Sequence, residues 1–150
     1  MCPVDIRTAR SADYDAIVDV MNEWWGRPVT SILPRLFLDH FWRTSFVAED
    51  REGLAGFLVG FLSPSQPDTA YVHAIAVAPR CRHTALATTL HHRFATLAKT
   101  DGRSVVKAIT SDDNTRSIGF HTSIGFDVTD SIPAYDGPGF SRVVFTKKLG

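Results

Sequence analysis

The chain of 150 residues lacks most of the features that would assign it at a glance. It has no net charge, with 16 Lys and Arg against 16 Asp and Glu, and no basic block, so its composition makes no case for a nucleic-acid partner. No apolar run is long enough to span a bilayer, and residues 1–10 lack the charged-then-apolar pattern of a secretory signal. There are only two cysteines, Cys2 and Cys81, far apart and without a C-x-x-C pair. They read as free thiols in a reducing compartment, which makes the cytoplasm the expected location. Six histidines and two cysteines show no ligand spacing, so no metal centre is expected. No internal repeat or inter-domain linker occurs, and the absent G-x-G-x-x-G together with the strand-rich ends argues against a plain nucleotide-binding α/β domain. A single domain over residues 1–150 is expected.

What is present is an ordinary folding chain. Hydrophobic residues make up 44% and charged residues 21%, which excludes disorder over most of the length. Val4 to Arg10 reads as a strand. Ser11 can cap a helix along which Tyr14, Ile17, Met21 and Trp24 form a stripe, broken at Gly26-Arg27-Pro28. A second helix is predicted from Ser31 to Phe41 with Leu33, Leu36, Phe37 and Phe41 inward. Ser45–Glu49 and Leu54–Leu62 read as strands around a hairpin at Asp50-Arg51-Glu52-Gly53, and Ser63 to Asp68 as a loop. Ala70–Val77 is the next strand, ended by Pro79. Leu86, Leu90, Phe94 and Leu97 mark one face of a helix from about His83 to Lys99. A strand follows at Ser104–Ile109, then a helix at Asn114–Ile124 closed by Gly125. Phe126–Ile132 and Ser141–Lys147 are the last strands. The order β-α-α-β-β-β-α-β-α-β-β implies an α/β (α+β) fold with a mixed, mostly antiparallel sheet of about seven strands and helices on both faces.

The informative stretch is Tyr71 to Leu90, YVHAIAVAPRCRHTALATTL. A strand ends, a short loop follows, and a helix begins whose first turn has free N–H groups and a positive dipole end. Such a turn holds phosphate without a special side chain. Val77-x-Pro79 is followed by Arg82-x-x-Ala85-x-Ala87. This resembles the pyrophosphate loop of the GNAT superfamily of N-acetyltransferases, Gln/Arg-x-x-Gly-x-Gly/Ala. Ala85 replaces the usual glycine, and His83 stands where a second glycine is common. Asn114-x-x-Ser117-x-x-Phe120-His121-x-x-x-Gly125-Phe126 resembles the family's Asn-x-x-Ala-x-x-x-Tyr-x-x-x-Gly-Phe, with His121 at the Tyr position.

The resemblance implies acetyl-CoA as co-substrate, held by Ile75, Ala76, Val77, Arg82, His83, Thr84, Ala85, Leu86 and Ala87 and by Asn114, Ser117 and Phe120. It implies direct transfer of an acetyl group to a primary amine of a small molecule or peptide, with the pantetheine arm entering where the Ala70–Val77 strand and the next strand splay apart. A backbone N–H near Ile75 or Val77 would polarise the thioester carbonyl, and His121 would protonate the leaving thiolate. It leaves the oligomeric state open, with a homodimer, the state of many members, as one possibility. A catalytically weak acyl-CoA sensor is the alternative, suggested by the relaxed glycine motif and the missing Tyr.

Each of these residues also has a plainer reading. Asn114 can be a helix cap alone, and His121 a partly buried structural histidine. His73, on the face of its strand shared with Ile75 and Val77, can be a general base or can simply pack. Glu49 can be a base or a solvated strand-end charge. Trp24 and Trp25 can line an acceptor pocket or belong to the core, and Tyr135-Asp136 can be an acceptor contact or turn chemistry. Arg35, Arg51, Arg103 and Lys147 read as solvated surface charges.

Overall fold

The computed structural model describes residues 3–150, so Cys2 lies outside the described residues. The elements are β1 (Asp5–Thr8), α1 (Tyr14–Trp25), α2 (Leu36–Phe41), β2 (Phe46–Asp50), β3 (Gly53–Leu62), β4 (Thr69–Val77), α3 (Leu86–Thr100), β5 (Val105–Ser111), α4 (Thr115–Ser123), β6 (Asp127–Val128) and β7 (Arg142–Lys148), with short 3-10 turns between some of them. This is the order read from the sequence. Seven strands form one mostly antiparallel sheet in the order β1-β2-β3-β4-β5-β7-β6, with β4 and β5 parallel. Contacts divide the chain into two compact units, one made of the residues up to Phe61 with Val72–Leu97, the other of Leu62–Tyr71 with Ala98–Gly150.

In the first unit the stripe of α1 is buried as its spacing requires: Ile17 and Met21 are fully enclosed and Trp24 nearly so. Its start differs from the expectation. Ser11 does not cap it; a 3-10 turn at Ser11–Asp13 comes first, and the Asp13 carboxylate accepts from the Arg10 N–H at 2.7 Å and pairs with Arg7. The helix ends at Gly26, whose φ of 72° is the left-handed cap. The predicted helix from Ser31 to Phe41 is split. Pro34 disfavours helical backbone at Leu33, which sits at φ −127° and ψ 78°, so a 3-10 turn at Thr30–Ile32 precedes a six-residue α2. The restart changes the phase, so Leu38 is buried and Leu36 is exposed, the reverse of the expectation for Leu36.

The hairpin joins β2 to β3 as predicted, with Asp50 opposite Gly53 and a bulge between Ala48 and Glu49. In β3 the glycine at Gly56 has a packing reason. A Cβ there would lie 3.1 Å from the Ala76 carbonyl oxygen, 3.2 Å from Val77 Cγ1 and 3.3 Å from Leu86 Cδ2.

In the second unit β5 pairs with β7 over its whole length, Val105 opposite Lys148 through Ser111 opposite Arg142. The predicted strand Phe126–Ile132 shrinks to the two residues of β6, with one further bridge from Ile132 to Arg142. Arg103 is not a solvated charge. Its side chain is mostly buried, donates to the carbonyls of Ser63, Gln66 and Thr69, and pairs with Asp101. It thus holds the Ser63–Asp68 loop against the turn after α3. Lys147 is half-buried and donates to the Ile124 carbonyl at 2.7 Å. Among the described residues no helix is long and apolar enough to cross a membrane.

Two glycines separate close packing from simple chain flexibility. Gly56→Val should destabilise by about 1–3 kcal/mol, since a backbone oxygen cannot yield as a side chain can. Gly119→Ala, in α4 with nothing within 4 Å of the added carbon, should stabilise by up to about 1 kcal/mol. Urea unfolding of the two variants checks the contrast.

Candidate active site

The loop between β4 and α3 is built by a relay of backbone bonds. Ala78 N–H donates to the Ala55 carbonyl of β3 at 2.8 Å, Cys81 N–H to the Ala78 carbonyl at 2.8 Å, and both the Thr84 N–H and its hydroxyl to the Cys81 carbonyl. The Thr84 hydroxyl in turn accepts from the Leu86 N–H at 3.3 Å, which caps the start of α3. Beside this relay, Arg80 reaches the two carboxylate oxygens of Asp50 at 2.8 and 3.1 Å and the Leu54 carbonyl at 3.0 Å. The Arg80 guanidinium keeps the Asp50 carboxyl below the usual carboxylate range. Cys81 is free and buried, and its burial raises the thiol above its ordinary pKa.

Arg80 and Asp50 were not among the residues picked out from sequence. A cation two residues into the loop and an acid at a hairpin corner gave only a weak signal.

The residues predicted to hold a pyrophosphate divide by what they present. His83, Thr84 and Ala85 are exposed at the head of α3. Leu86 is buried, with its Cδ2 against Gly56. Ala87 is half-buried. His83 is left-handed, at φ 66°, so the position that favours glycine is His83 and not Ala85. Arg82 points elsewhere: its guanidinium donates to the Trp24 carbonyl in the last turn of α1. Small side chains at an exposed helix start fit a phosphate group that approaches the backbone.

Also in this unit, Ile75, Ala76 and Val77 lie half-buried along β4. His73, two residues earlier, stacks on Phe37 with ring centres 3.9 Å apart, and its Nε2 lies 2.5 Å from the Ile32 carbonyl oxygen. A carbonyl only accepts, so Nε2 holds the proton, and in the neutral ring Nδ1 is the acceptor. Burial lowers the His73 pKa, against the smaller opposing effect of that bond. Trp24 stacks on Phe57 and Trp25 meets it edge-on, both at 6.0 Å. Glu49 is half-exposed and paired with Arg7 at 2.8 Å.

In the second unit, Asn114, Ser117, Phe120 and His121 gather on α4. Asn114 is the N-cap: its Oδ1 accepts from the Ser117 N–H at 3.3 Å, and its Nδ2 donates to Thr110 at 2.9 Å. His121 is buried, stacked on Phe145 at 4.1 Å, with Phe120 at its edge. Its Nδ1 lies 2.8 Å from the Ser117 carbonyl oxygen. The same reasoning puts the proton on Nδ1, and burial lowers the pKa of this histidine too. A neutral His121 therefore has its one N–H engaged with Ser117. Tyr135 is exposed, and Asp136 pairs with Arg142 at 2.8 Å. Among the described residues no group of three or more His, Cys, Asp and Glu could hold a metal ion.

The two sequence motifs therefore fall on the loop that opens α3 after β4 and on the capped start of α4. The family model of the GNAT acetyltransferases matches residues 14–126, which takes in both motifs, and the chain belongs to that family. Among curated proteins it is 31% identical over 81 residues to the L-2,4-diaminobutyric acid acetyltransferase of Nocardia farcinica, a match over 54% of this chain and 42% of that protein. The chain thus spans less than half the length of that relative. Among solved structures, a GNAT-family protein from Desulfovibrio desulfuricans superposes with a TM-score of 0.83 at 19% identity, over 99% of this chain and all of that one. YncA of Salmonella typhimurium, solved with its cofactor acetyl-CoA, gives a TM-score of 0.75 at 23% identity, over 99% and 95%. At these identities the two structures attest the fold.

The left-handed backbone at residue 83 makes a prediction. A β-branched side chain there is poorly tolerated, so His83→Val should lose about 1–2 kcal/mol. His83→Gly should melt close to the natural protein, because glycine adopts this φ without steric cost but loosens the unfolded chain. Thermal melts of the two variants check the order.

Proposed function

We propose that the protein transfers an acetyl group from acetyl-CoA to a primary amine of a small molecule or peptide. The observation that supports this most is the exposed head of α3, with small residues at Ala85 and Ala87, lying inside the family match over residues 14–126. The amine nitrogen attacks the thioester carbonyl, the N–C bond forms and the C–S bond breaks. The thiolate gains a proton and the nitrogen loses one. In this reading the first turn of α3 binds the pyrophosphate, and an N–H of β4 near Ile75 or Val77 polarises the carbonyl. The assignment of Asn114, Ser117 and Phe120 to the pantetheine arm rests on the motif and belongs to the same proposal. So does a cytoplasmic setting, which the buried reduced thiol of Cys81 supports. An α-amino acid with a second amine is one candidate acceptor, since the Nocardia relative is named for L-2,4-diaminobutyric acid.

The two histidines take different parts. His73, with an unprotonated Nδ1 in its neutral ring, is the group able to accept the amine's proton. His121 was expected from sequence to donate one to the thiolate. That would require its imidazolium form, which burial opposes. The proposal therefore takes the thiolate's proton from water and gives His121 the role of fixing α4.

Thiol release from acetyl-CoA across a panel of amines, diaminobutyrate and peptide N-termini included, is the direct test; no release with any amine while acetyl-CoA binds would favour the sensor alternative. Ala85→Glu should weaken acetyl-CoA binding at an unchanged melting temperature, because it sets like charge beside phosphate; unchanged affinity would place the co-substrate elsewhere. In the pH profile, a base whose pKa lies below the ordinary imidazole value, about 6.5, is already unprotonated at pH 7. The acid limb of kcat/KM should therefore fall below that pH, and His73→Gln should abolish the limb together with 10²–10⁴-fold of the rate, roughly what a general base contributes. His121→Phe should hold kcat within a fewfold; a loss of about 10²-fold or more would restore His121 as the acid.

A further inference from the structure

The side chain of Arg82 is bonded to the end of α1, at the Trp24 carbonyl. In the last turn of α1, Gly26 N–H takes the carbonyls of Asn22 and Glu23, and Val29 N–H takes the Asn22 side chain at 2.8 Å. α1 ends at the left-handed Gly26, so the Trp24 carbonyl is one of the last-turn carbonyls with no intrahelical donor, and Pro28, the fourth residue on, has no N–H in any case. The Arg82 guanidinium donates to this carbonyl instead. A cation at the negative end of a helix, making a charge-assisted bond to a carbonyl the chain itself cannot satisfy, is a favourable use of arginine. The helix end so held carries Trp24 and Trp25, both packed on Phe57. Arg82 is followed at once by the left-handed His83 and by the exposed head of α3.

We propose that Arg82 is a positioning residue, a latch that joins the C-terminal turn of α1 to the loop at the head of α3, so that ordering of the loop and ordering of the helix end are coupled. The latch is independent of the ligand. Its coupling to co-substrate rests on the acetyl-CoA reading above. Coupling of this kind is reciprocal: whatever stiffens the loop also protects the end of α1.

Amide hydrogen exchange separates the two parts. In ligand-free protein, Arg82→Met should speed exchange at residues 24–29 by tenfold or more and leave residues 142–148 as they were. In the natural protein, acetyl-CoA should slow exchange at residues 24–29, and in Arg82→Met it should not. Arg82→Lys keeps the charge and loses the planar fork; it should fall between the two, and it gives the reading if Arg82→Met fails to fold. Exchange at residues 24–29 within twofold of the natural protein in the ligand-free variants would overturn the latch. A natural protein that binds no acetyl-CoA would overturn the proposed function, while the ligand-free comparison would still decide the latch.

Discussion

Backbone approach at Gly56 is the constraint on which the first unit's candidate site depends. With hydrogen at that position, β3 comes within van der Waals reach of the Ala76 carbonyl and of Leu86, the first residue of α3. The neighbouring Ala55 carbonyl then takes the Ala78 N–H, and the bonds run on through Cys81 to Thr84. Each step consumes a polar group that the chain would otherwise have to satisfy some other way. A path with so many fixed bonds leaves the exposed residues 83–85 little freedom of placement. Arg80 on Asp50 adds a second tie between the hairpin corner and the same loop.

The left-handed turn at His83 follows from this path. The loop must leave its 3-10 turn at Cys81 and enter α3 within a few residues, and a positive φ at residue 83 makes the reversal. Histidine is among the residue types found somewhat more often there than most. A glycine at 83 would make the turn without strain but would also loosen the unfolded chain more, so the net difference is small. Ala85, where the family motif carries glycine, has no positive φ, which is why alanine is accommodated.

Much of the fold could be read in the sequence because local periodicity and turn chemistry agreed. The α1 stripe, the Asp50–Gly53 hairpin and the Gly125 cap all follow from residues within one element. Failures arose where a single residue or a distant partner decided the outcome. Pro34 reset the phase of α2, so that Leu38 and not Leu36 is inside. Arg103 found three carbonyls about 35 residues away in sequence, which no local pattern encodes. In the candidate site, the positions of Ala85, Ala87 and the Asn114 cap were legible from motif spacing. The destination of Arg82 was not, because its partner, the Trp24 carbonyl, lies 58 residues away in sequence. The substitution of histidine for glycine at residue 83 was visible, but its backbone conformation needed the three-dimensional path.

His73, half-buried, and His121, buried, show why a residue type alone does not assign a chemical role. Burial lowers the pKa of both, and both place one nitrogen against a carbonyl oxygen, which fixes where the single proton of a neutral ring resides. In His73 that nitrogen is Nε2, bound to Ile32; in His121 it is Nδ1, bound to Ser117. The nitrogen opposite is an acceptor in each. A ring in that state can take a proton and has none to give at its second nitrogen. The tyrosine of the family motif is different, because its hydroxyl carries a proton at any pH below about 10. An imidazole whose Nδ1 proton is engaged with Ser117 differs from that phenol in having no second proton in its neutral form, which is the physical ground on which the proposed reaction takes the thiolate's proton from water.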